Sequence, residues 1–547
     1  MLKWIARELM VSSRLGRICV ATLGILCGTA SSALGDPPDL SRDIRLHRHV
    51  TLTGEGLYLA EVASALSRQT GVSVVADESS GASDARLLIR VTQLPAWQVM
   101  EALSSVFSYK HAPWQWEVKM GTVPAYRLVQ SRSAQELPSR LERAAQDEFE
   151  RMTEEAIASS PWTLEERERR MSMQDPMTVQ ERATWGLQLF AECLTQEDRL
   201  AVIRGHSRPT IKVTDLPGWG RRFVEDMYRG HDAKRKLPDG SFEPVPRPEW
   251  IRFAADRLGN KATRSLYIDV DGLGGYAYSG GVPLQRRFNE LHLDMWLLDG
   301  DARSHKGAEA RIIPERKPNY VTRSLTGLAR RCAEISEHGD IPLIARVPRV
   351  RSFLDAGSGP VGRVLGPYLS DLRDTYQAAH KWRHGILLVT YSSWFCQPEE
   401  VARPPWSQVK AIREAVKAND RTAMIEALLR AASVMTLQQL RVLEADWHAA
   451  GSLAVFQTPL ATVHRDADLR HTLVNKGEVR VRLASDRLAA DRSARSILPE
   501  GTSSVQITRV EELDGEERLT AVNLRALAED GRQLLWHRLV LRPQESP

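Results

Sequence analysis

The sequence has few cysteines and none of the short motifs that identify common enzyme classes. Only five of its 547 residues are cysteine, and no two of them form a Cys-x-x-Cys pair. This absence excludes zinc ribbons and thioredoxin-like redox motifs. The chain also has no nucleophile elbow, zincin helix, P-loop or dinucleotide-binding glycine pattern. The sequence therefore predicts no catalytic, cofactor-binding or metal-ligating residue.

A strong charge imbalance and a long apolar run are also missing. The formal net charge is +5, of which residues 1–35 carry +3, so the remaining chain carries +2. Nucleic-acid-binding proteins usually have clustered basic surface, and we expect no nucleic-acid partner here. A membrane-spanning helix needs about 20 apolar residues, and no segment after residue 35 meets this requirement.

The N-terminus has the three parts of a secretory signal. Basic residues end at Arg17, an apolar stretch covers 18–27, and small residues lead to Ala33-Leu34-Gly35. The pattern predicts a signal peptide over 1–35, cleavage near Gly35, and a mature protein in the periplasm or cell envelope. An uncleaved anchor and a lipoprotein modified at Cys27 are the alternatives.

Three cysteines remain after the signal, at positions 193, 332 and 396. Their odd number and wide separation favour three buried thiols, since free cysteine usually behaves as a small apolar residue. One disulfide with one free thiol is the alternative.

The clearest folded unit lies directly after the signal, over residues 44–131. Periodicity predicts strands at 50–52, 72–76, 86–91 and 126–129, and helices at 58–69 and 96–107. The order β-α-β-β-α-β predicts one small sheet with two helices on one face. We expect this span to fold alone around nine core residues. They are Leu59, Val62, Leu66, Val72, Val74, Leu88, Val99, Leu103 and Phe107.

Two segments of this unit are distinctive. In LAEVASALSRQTGVSVV, Thr70-Gly71 ends a helix, and RVTQLPAWQVMEALSSVF is a strand, a Leu-Pro turn and a second helix. With these segments, residues 46–130 resemble the STN module, the short N-terminal domain of secretins and TonB-dependent transducers. The resemblance implies contact with protein partners or with an envelope machine. The sequence shows neither the Gly-rich multimerising domain of secretins nor the barrel of transducers, so the resemblance implies the module alone.

The remainder of the chain predicts an α+β multidomain protein. We expect a helical region at 135–235, a linker at 230–248, and an α+β region at 264–400. Within the latter, 310–395 repeats the order of helices and strands, which predicts a second, divergent STN-like module unless the common order is coincidental. A helical segment at 405–450 and an antiparallel β domain at 475–543 complete the chain.

Several residues have a chemical interpretation and a plainer one. His47 and His49 resemble a metal pair without a third ligand, which favours surface histidines. Asp269 and Asp271 lack the remaining acids of a calcium loop, which favours a glycine turn with solvated acids. Tryptophans at 114 and 116 and between 382 and 394 have the spacing of sugar-stacking residues, but core positions are favoured.

These patterns favour an exported, non-enzymatic envelope protein whose STN-like module or modules associate with other proteins. The expected partner is another envelope protein or a second copy of this chain. An exported enzyme of unrecognised family is one alternative. A protein that binds cell-wall glycan or another extracellular ligand is the other.

Overall fold

A computed structural model gives the structure of most of the chain after the export signal. It describes residues 37–119, 124–158, 163, 179–230, 234–236, 242–244, 247–257, 264–271, 274–277, 327–346, 365–374, 378–391, 394, 402–418, 420–446, 453–482, 498, 502–514 and 517–541. The predicted signal peptide and Cys396 lie outside these residues.

The α+β multidomain class is confirmed, with helices and several sheets in the described chain. The helices are α1 (Leu59–Thr70), α2 (Ala96–Phe107), α3 (Arg132–Ala158), α4 (Val179–Cys193), α5 (Gln196–Ile203), α6 (Gly218–Gly230), α7 (Gly327–Gly339), α8 (Leu365–Asp374), α9 (Trp406–Lys417), α10 (Arg421–Val434), α11 (Leu437–Asp446), α12 (Gln457–Arg465) and α13 (Ala467–Lys476). The strands are β1 (His49–Tyr58), β2 (Val74–Ala76), β3 (Arg86–Pro95), β4 (Trp114–Lys119), β5 (Ala125–Gln130), β6 (Thr210–Lys212), β7 (Lys234–Lys236), β8 (Phe242–Pro244), β9 (Trp250–Arg257), β10 (Arg264–Val270), β11 (Gly274–Ala277), β12 (Leu343–Arg346), β13 (Ala378–Arg383), β14 (Ile386–Tyr391), β15 (Glu478–Arg482), β16 (Ser504–Asp514), β17 (Glu517–Leu527) and β18 (Gln533–Leu541).

Local sequence explains where α1 begins and ends. The Glu61 carboxylate accepts the backbone N–H of Tyr58 at 2.9 Å, which satisfies a donor that a helix start would leave unpaired. At the other end Gly71 adopts φ +73° and donates its N–H to the Ser67 carbonyl. A left-handed residue at this position is readily supplied by glycine. All nine core residues expected in this span are buried.

The prediction of one small sheet in residues 44–131 is wrong, because the strands divide between two sheets. β1 and β3 belong to a five-stranded sheet of order β1-β3-β12-β14-β13, whereas β2, β5 and β4 form a three-stranded sheet. Helix α1 contacts β1 and β2, and α2 contacts β3 and β4, so both helices lie between the sheets. Seven of the twelve residues of α2 are buried. An apolar surface this broad on a helix needs cover on two sides, and the two sheets provide it.

The strands described within 310–395, where the sequence predicts a second, divergent STN-like module, pair with the sheet of the first. β12 pairs antiparallel with β3, with Leu343 opposite Arg90 and Ala345 opposite Leu88, and pairs parallel with β14. These strands therefore complete the sheet that β1 and β3 begin. We refer to residues 44–131 as the first unit. The cause lies in β3, where 87–89 are apolar and buried on both faces, as in an interior strand.

The middle of the chain has a core of its own. Helices α4 and α6 pack with a four-stranded sheet of order β11-β10-β9-β6 around buried aromatic residues. These residues are Trp185, Phe190, Trp219, Phe223 and Phe253. The predicted linker at 230–248 is not wholly irregular, because β7 and β8 pair within it as a short two-stranded sheet.

The C-terminal part combines helices with an antiparallel sheet. Helices α9 to α11 lie where the 405–450 segment predicted helix, and α12 and α13 are additional. Strands β15 to β18 pair in chain order as an antiparallel meander, and one face packs on the helices around Phe456. No helix in the described part of the chain is both long and apolar enough to cross a bilayer.

Candidate functional site

The histidines and acids singled out by sequence have ordinary structural roles. His47 and His49 are exposed, and His47 Nε2 lies 2.7 Å from the Ser41 carbonyl oxygen. Asp269 lies 3.9 Å from Arg252, and Asp271 accepts the N–H of Glu249. Across the described ranges, no three His, Cys, Asp or Glu side chains are grouped to hold a metal.

Two of the three cysteines are described, and both are free thiols. Cys332 is fully buried, and this burial raises the pKa of its thiol. Cys193 is half-buried, and desolvation, followed by the nearby Glu192, raises its pKa to about 11. A thiol with a raised pKa is a weak nucleophile, because the thiolate is the reactive form.

The tryptophans singled out by sequence belong mainly to the core. Trp114, Trp116 and Trp394 are buried, and Trp116 Nε1 donates a 2.8 Å hydrogen bond to the Met100 carbonyl. Their rings are therefore unavailable for stacking on a sugar. A different residue, Trp536 on β18, is exposed over 46% of its surface.

One carboxylate–imidazole pair joins residues nearly three hundred positions apart. Glu101 on α2 accepts hydrogen bonds through Oε2 from His384 Nε2 at 2.7 Å and from Arg383 at 2.8 Å. The Trp97 ring packs edge-on against His384, with 4.9 Å between centroids. The His384 bond, followed by the Arg383 bond, holds the pKa of Glu101 below its ordinary value despite partial burial.

This pair has the chemistry of a base-orienting dyad, but no hydroxyl or thiol among the described residues is hydrogen-bonded to His384. In such dyads a carboxylate orients a histidine that acts on a hydroxyl or thiol. In the part of the chain that the structure describes, His384 is hydrogen-bonded to Glu101 alone. His384 and Gly385 form the two-residue turn between β13 and β14, with φ +50° and +78°. The cluster therefore fastens this turn to α2.

A second polar cluster joins the first unit to the C-terminal helices. Tyr58 is fully buried, its hydroxyl bonded to Arg86, whose guanidinium also lies 4.4 Å from the Tyr58 ring centroid. The ring of Trp406 packs against Tyr58 at 4.9 Å. Arg413 on α9 pairs with Glu61 on α1 at 2.8 Å. The aromatic and charged contacts therefore dock α9 against the start of α1.

Asp84 adds a further contact between the first unit and α9, and we refer to this group of contacts as the Tyr58 junction. Its carboxylate accepts the backbone N–H of Trp406 at 2.8 Å, which caps the start of α9. Desolvation raises the pKa of Asp84. The junction is internal, so its charged groups serve the packing of the chain.

The first unit has three edge strands whose backbone is bonded by side chains from the helices. The Gln69 amide both donates to and accepts from the backbone of Thr51 on β1, at 2.8 and 2.9 Å. Ser67 Oγ lies 2.8 Å from the backbone N and O of Val74 on β2. Ser108, directly after α2, accepts the N–H of Trp114 on β4 at 2.9 Å. We refer to Ser67, Gln69 and Ser108 as the edge caps.

The caps matter because an open strand edge is a template for another chain. Each cap fills backbone groups that an added strand would need. Strand addition to the first unit is therefore blocked at these three positions.

Four large apolar side chains of the described chain are exposed, and two of them belong to the first unit. Ile44 is 82% exposed and Val75 is 45% exposed. The other two are Val434, at the end of α10, and Trp536.

Sequence reasoning did not find the Glu101 cluster, the Tyr58 junction or the edge caps. Gly385 is a turn signal, because glycine readily adopts the positive φ found there, but nothing near Glu101 in sequence points to residue 384. No protein family, no characterised protein and no solved structure matches the chain.

Proposed function

We propose that the protein is exported to the cell envelope and acts there by binding another protein. The STN-like unit at 44–131 is the contact unit, and no chemical step is part of the proposal. The partner is another envelope protein or a second copy of the chain.

One contrast within the unit carries the proposal. Its core residues are buried and its edge strands are capped, yet Ile44 and Val75 expose large apolar surfaces. Exposed apolar surface is unfavourable in water by about 25 cal/mol for each Å². A partner that covers these side chains recovers this free energy.

The surroundings of Val75 resemble the centre and rim of a protein contact. Val75 lies opposite Arg127 across the β2–β5 pair. Arg127 forms ion pairs with Glu117 at 2.8 Å and with Asp77 at 3.2 Å. An apolar centre with a charged rim is the usual anatomy of an interface.

The backbone at Ile44 is held by its neighbours. Ile44 begins a short 3-10 turn, Ile44–His47, and Asp43, the residue before it, accepts hydrogen bonds from Arg45 and from the Tyr126 hydroxyl. The Arg45 bond dominates the lowering of the pKa of Asp43, so the carboxylate remains charged near neutral pH. A backbone segment that is ordered before binding loses little conformational entropy on binding.

The mode of binding follows from the edge caps. Because Ser67, Gln69 and Ser108 occupy edge backbone groups, a partner is expected to use side-chain packing rather than strand addition. An STN-like unit can associate by strand addition or by apolar docking, and the edge caps leave apolar docking.

Site-specific photo-crosslinking tests the association in cells. We expect a crosslinking residue at 44 or 75 to capture the same second chain, and one at 434 to capture none. Position 434 is the matched control, because Val434 is 57% exposed but lies outside the unit. Ile44→Asp and Val75→Asp should each reduce the capture, whereas Val434→Asp should not. Equal capture from all three positions, or from none, contradicts the proposal.

Export is tested separately by fractionation and N-terminal sequencing. We expect the protein in the envelope or periplasm, beginning near Asp36. A cytoplasmic protein that retains Met1 would overturn the export step.

A further inference from the structure

The solvent face of the C-terminal sheet carries a straight row of residues with one chemical character. Arg480 lies opposite Gln506, Gln506 opposite Arg525, and Arg525 opposite Trp536, across the four strands β15 to β18. Arg480, Arg525 and Trp536 are exposed, and Gln506 is half-buried. We refer to these four residues as the Trp536 row.

The sheet orients this row toward solvent. The residues that alternate with it, including Val479, Ile507 and Leu524, are buried against the helices. Strands are spaced about 4.8 Å apart, so a row across four strands covers about 14 Å. This length fits several units of an extended chain better than it fits a single small molecule.

The charge of the row and its neighbours is positive. Arg482, also exposed, lies two residues beyond Arg480 on β15. The acid on this face of β15, Glu478, accepts a 2.6 Å hydrogen bond from Gln506. Ser504 accepts a 3.0 Å bond from Arg480 Nε and so fixes its guanidinium on the sheet. Three arginines against one occupied carboxylate complement an anionic ligand.

We propose that the Trp536 row binds an acidic polysaccharide, with a sugar ring stacked on Trp536 and carboxylates bonded by Arg525 and Arg480. Arginine presents a planar fork of donors that matches the geometry of a carboxylate. The indole supplies a flat apolar face for the ring, and Gln506 supplies an amide for hydroxyl groups. The choice of a polysaccharide over a nucleic acid relies on the proposed export.

Binding to the purified full-length mature chain tests this inference, independently of where the protein resides or what Ile44 and Val75 contact. The probes are a hexameric oligogalacturonate, neutral cellohexaose and a single-stranded thymidine hexamer, measured by titration calorimetry. We expect the oligogalacturonate to bind and to weaken at high salt, because exposed charges are screened. Cellohexaose and the thymidine hexamer should bind at least about tenfold more weakly, a difference of about 1.4 kcal/mol.

Variants assign the binding to the row. Arg525→Gln and Trp536→Ala should each weaken oligogalacturonate binding by about tenfold or more, whereas Trp536→Phe should retain most of it. Arg132→Gln is the control for loss of one positive charge, because Arg132 is 91% exposed on α3. Arg525 and Trp536 are both exposed, and unchanged thermal melting will show that the variants are folded.

Three results would overturn the inference. They are equal binding of the neutral sugar, tighter binding of the thymidine hexamer with the same dependence on Arg525 and Trp536, and oligogalacturonate binding that neither substitution changes. Absence of oligogalacturonate binding would overturn it as well.

Discussion

Arginine is the residue that this chain uses most distinctively, because several guanidinium groups lie inside on aromatic rings. Arg346 is buried, with its guanidinium 3.5 Å from the centroid of Trp394. Arg331 lies 5.1 Å from Tyr368 in the same way. A guanidinium is flat and weakly hydrated, so it stacks on a ring where the ammonium of lysine would be poorly accommodated. Sequence alone places such residues at the surface, and only the folded partners show otherwise.

The burial of a single residue, Leu66, leads to a stability prediction. Its side chain is fully buried between the two sheets of the first unit. Leu66→Ala should lower the free energy of unfolding by about 2–5 kcal/mol, from lost burial and a residual cavity. Val75→Ala is the control and should change it by less than about 0.5 kcal/mol, since Val75 is half-exposed. Urea denaturation measures both, and equal values for the two variants would contradict the assignment of Leu66 to the core.

Glu101 gives a pH prediction whose direction follows from its lowered pKa. The bonds from His384 and Arg383 favour the charged carboxylate in the folded state, so its folded pKa lies below the ordinary 4.5. The stabilisation is complete above the unfolded pKa and is lost as pH falls through the folded pKa. Glu101→Gln should therefore melt at a lower temperature than the native protein at about pH 6.5, and the gap should narrow at about pH 3.5. A gap that is constant across this range would show that the charge is not responsible.

The core residues of the first unit were predictable because helical spacing marks them locally. Leu59, Val62 and Leu66 recur on one face of α1, and all three are buried. The Glu101–His384 pair was not predictable, since its partners are separated by 283 positions and meet only after the sheet forms. Short-range patterns contain no information on such a contact.

At the scale of elements, the edge caps show how the helices protect the strands. Each cap uses a polar side chain on or directly after a helix to bond the backbone of a neighbouring edge strand. Gln69 is the most complete, because its amide carries one donor and one acceptor, as a peptide group does. This arrangement removes a site for strand pairing without adding another strand.

Gln69→Ala tests this protective role. Removal of the amide leaves the N–H and C=O of Thr51 open, and we expect a modest loss of stability, about 0.5–1.5 kcal/mol. The main effect should be increased self-association at high protein concentration, measured by sedimentation velocity. Arg68→Ala is the matched control on the same helix, since Arg68 bonds only to the Ser64 side chain in the described contacts. Identical sedimentation of the two variants would show that the cap does not guard the edge.

Elements with strong internal patterns were predicted well, and elements defined by a partner were not. Helix α2 was predicted over its full length from apolar spacing. Strand β13 was missed, because Ala378 to Arg383 include alanine, histidine and lysine, which have low strand propensity. Its extended form depends on antiparallel pairing with β14 along its whole length.

At the scale of the whole molecule, the first unit shares one hydrophobic core with the residues described between 328 and 394. That core runs from Leu40 to Leu141 and continues from Leu328 to Trp394. Tyr58 also joins a second cluster with Val409 and Leu443 of the C-terminal helices. The boundary at residue 131 is clear in the sequence because local patterns end there, but tertiary contacts cross it. The pairing of β3 with β12 spans about 250 positions, so it could not be predicted from periodicity.

This shared core changes the expectation for the isolated span 44–131. Without β12 the backbone edge of Leu88 to Arg90 is open, and without residues 328–394 the apolar surface of Ile89 and Met100 loses part of its cover. An exposed apolar edge strand favours aggregation over a single fold. We therefore expect the isolated span to lack a cooperative thermal transition by near-ultraviolet circular dichroism, while the full mature chain shows one. A sharp transition with native aromatic signals in the fragment would show that the first unit is stable without the strands that extend its sheet.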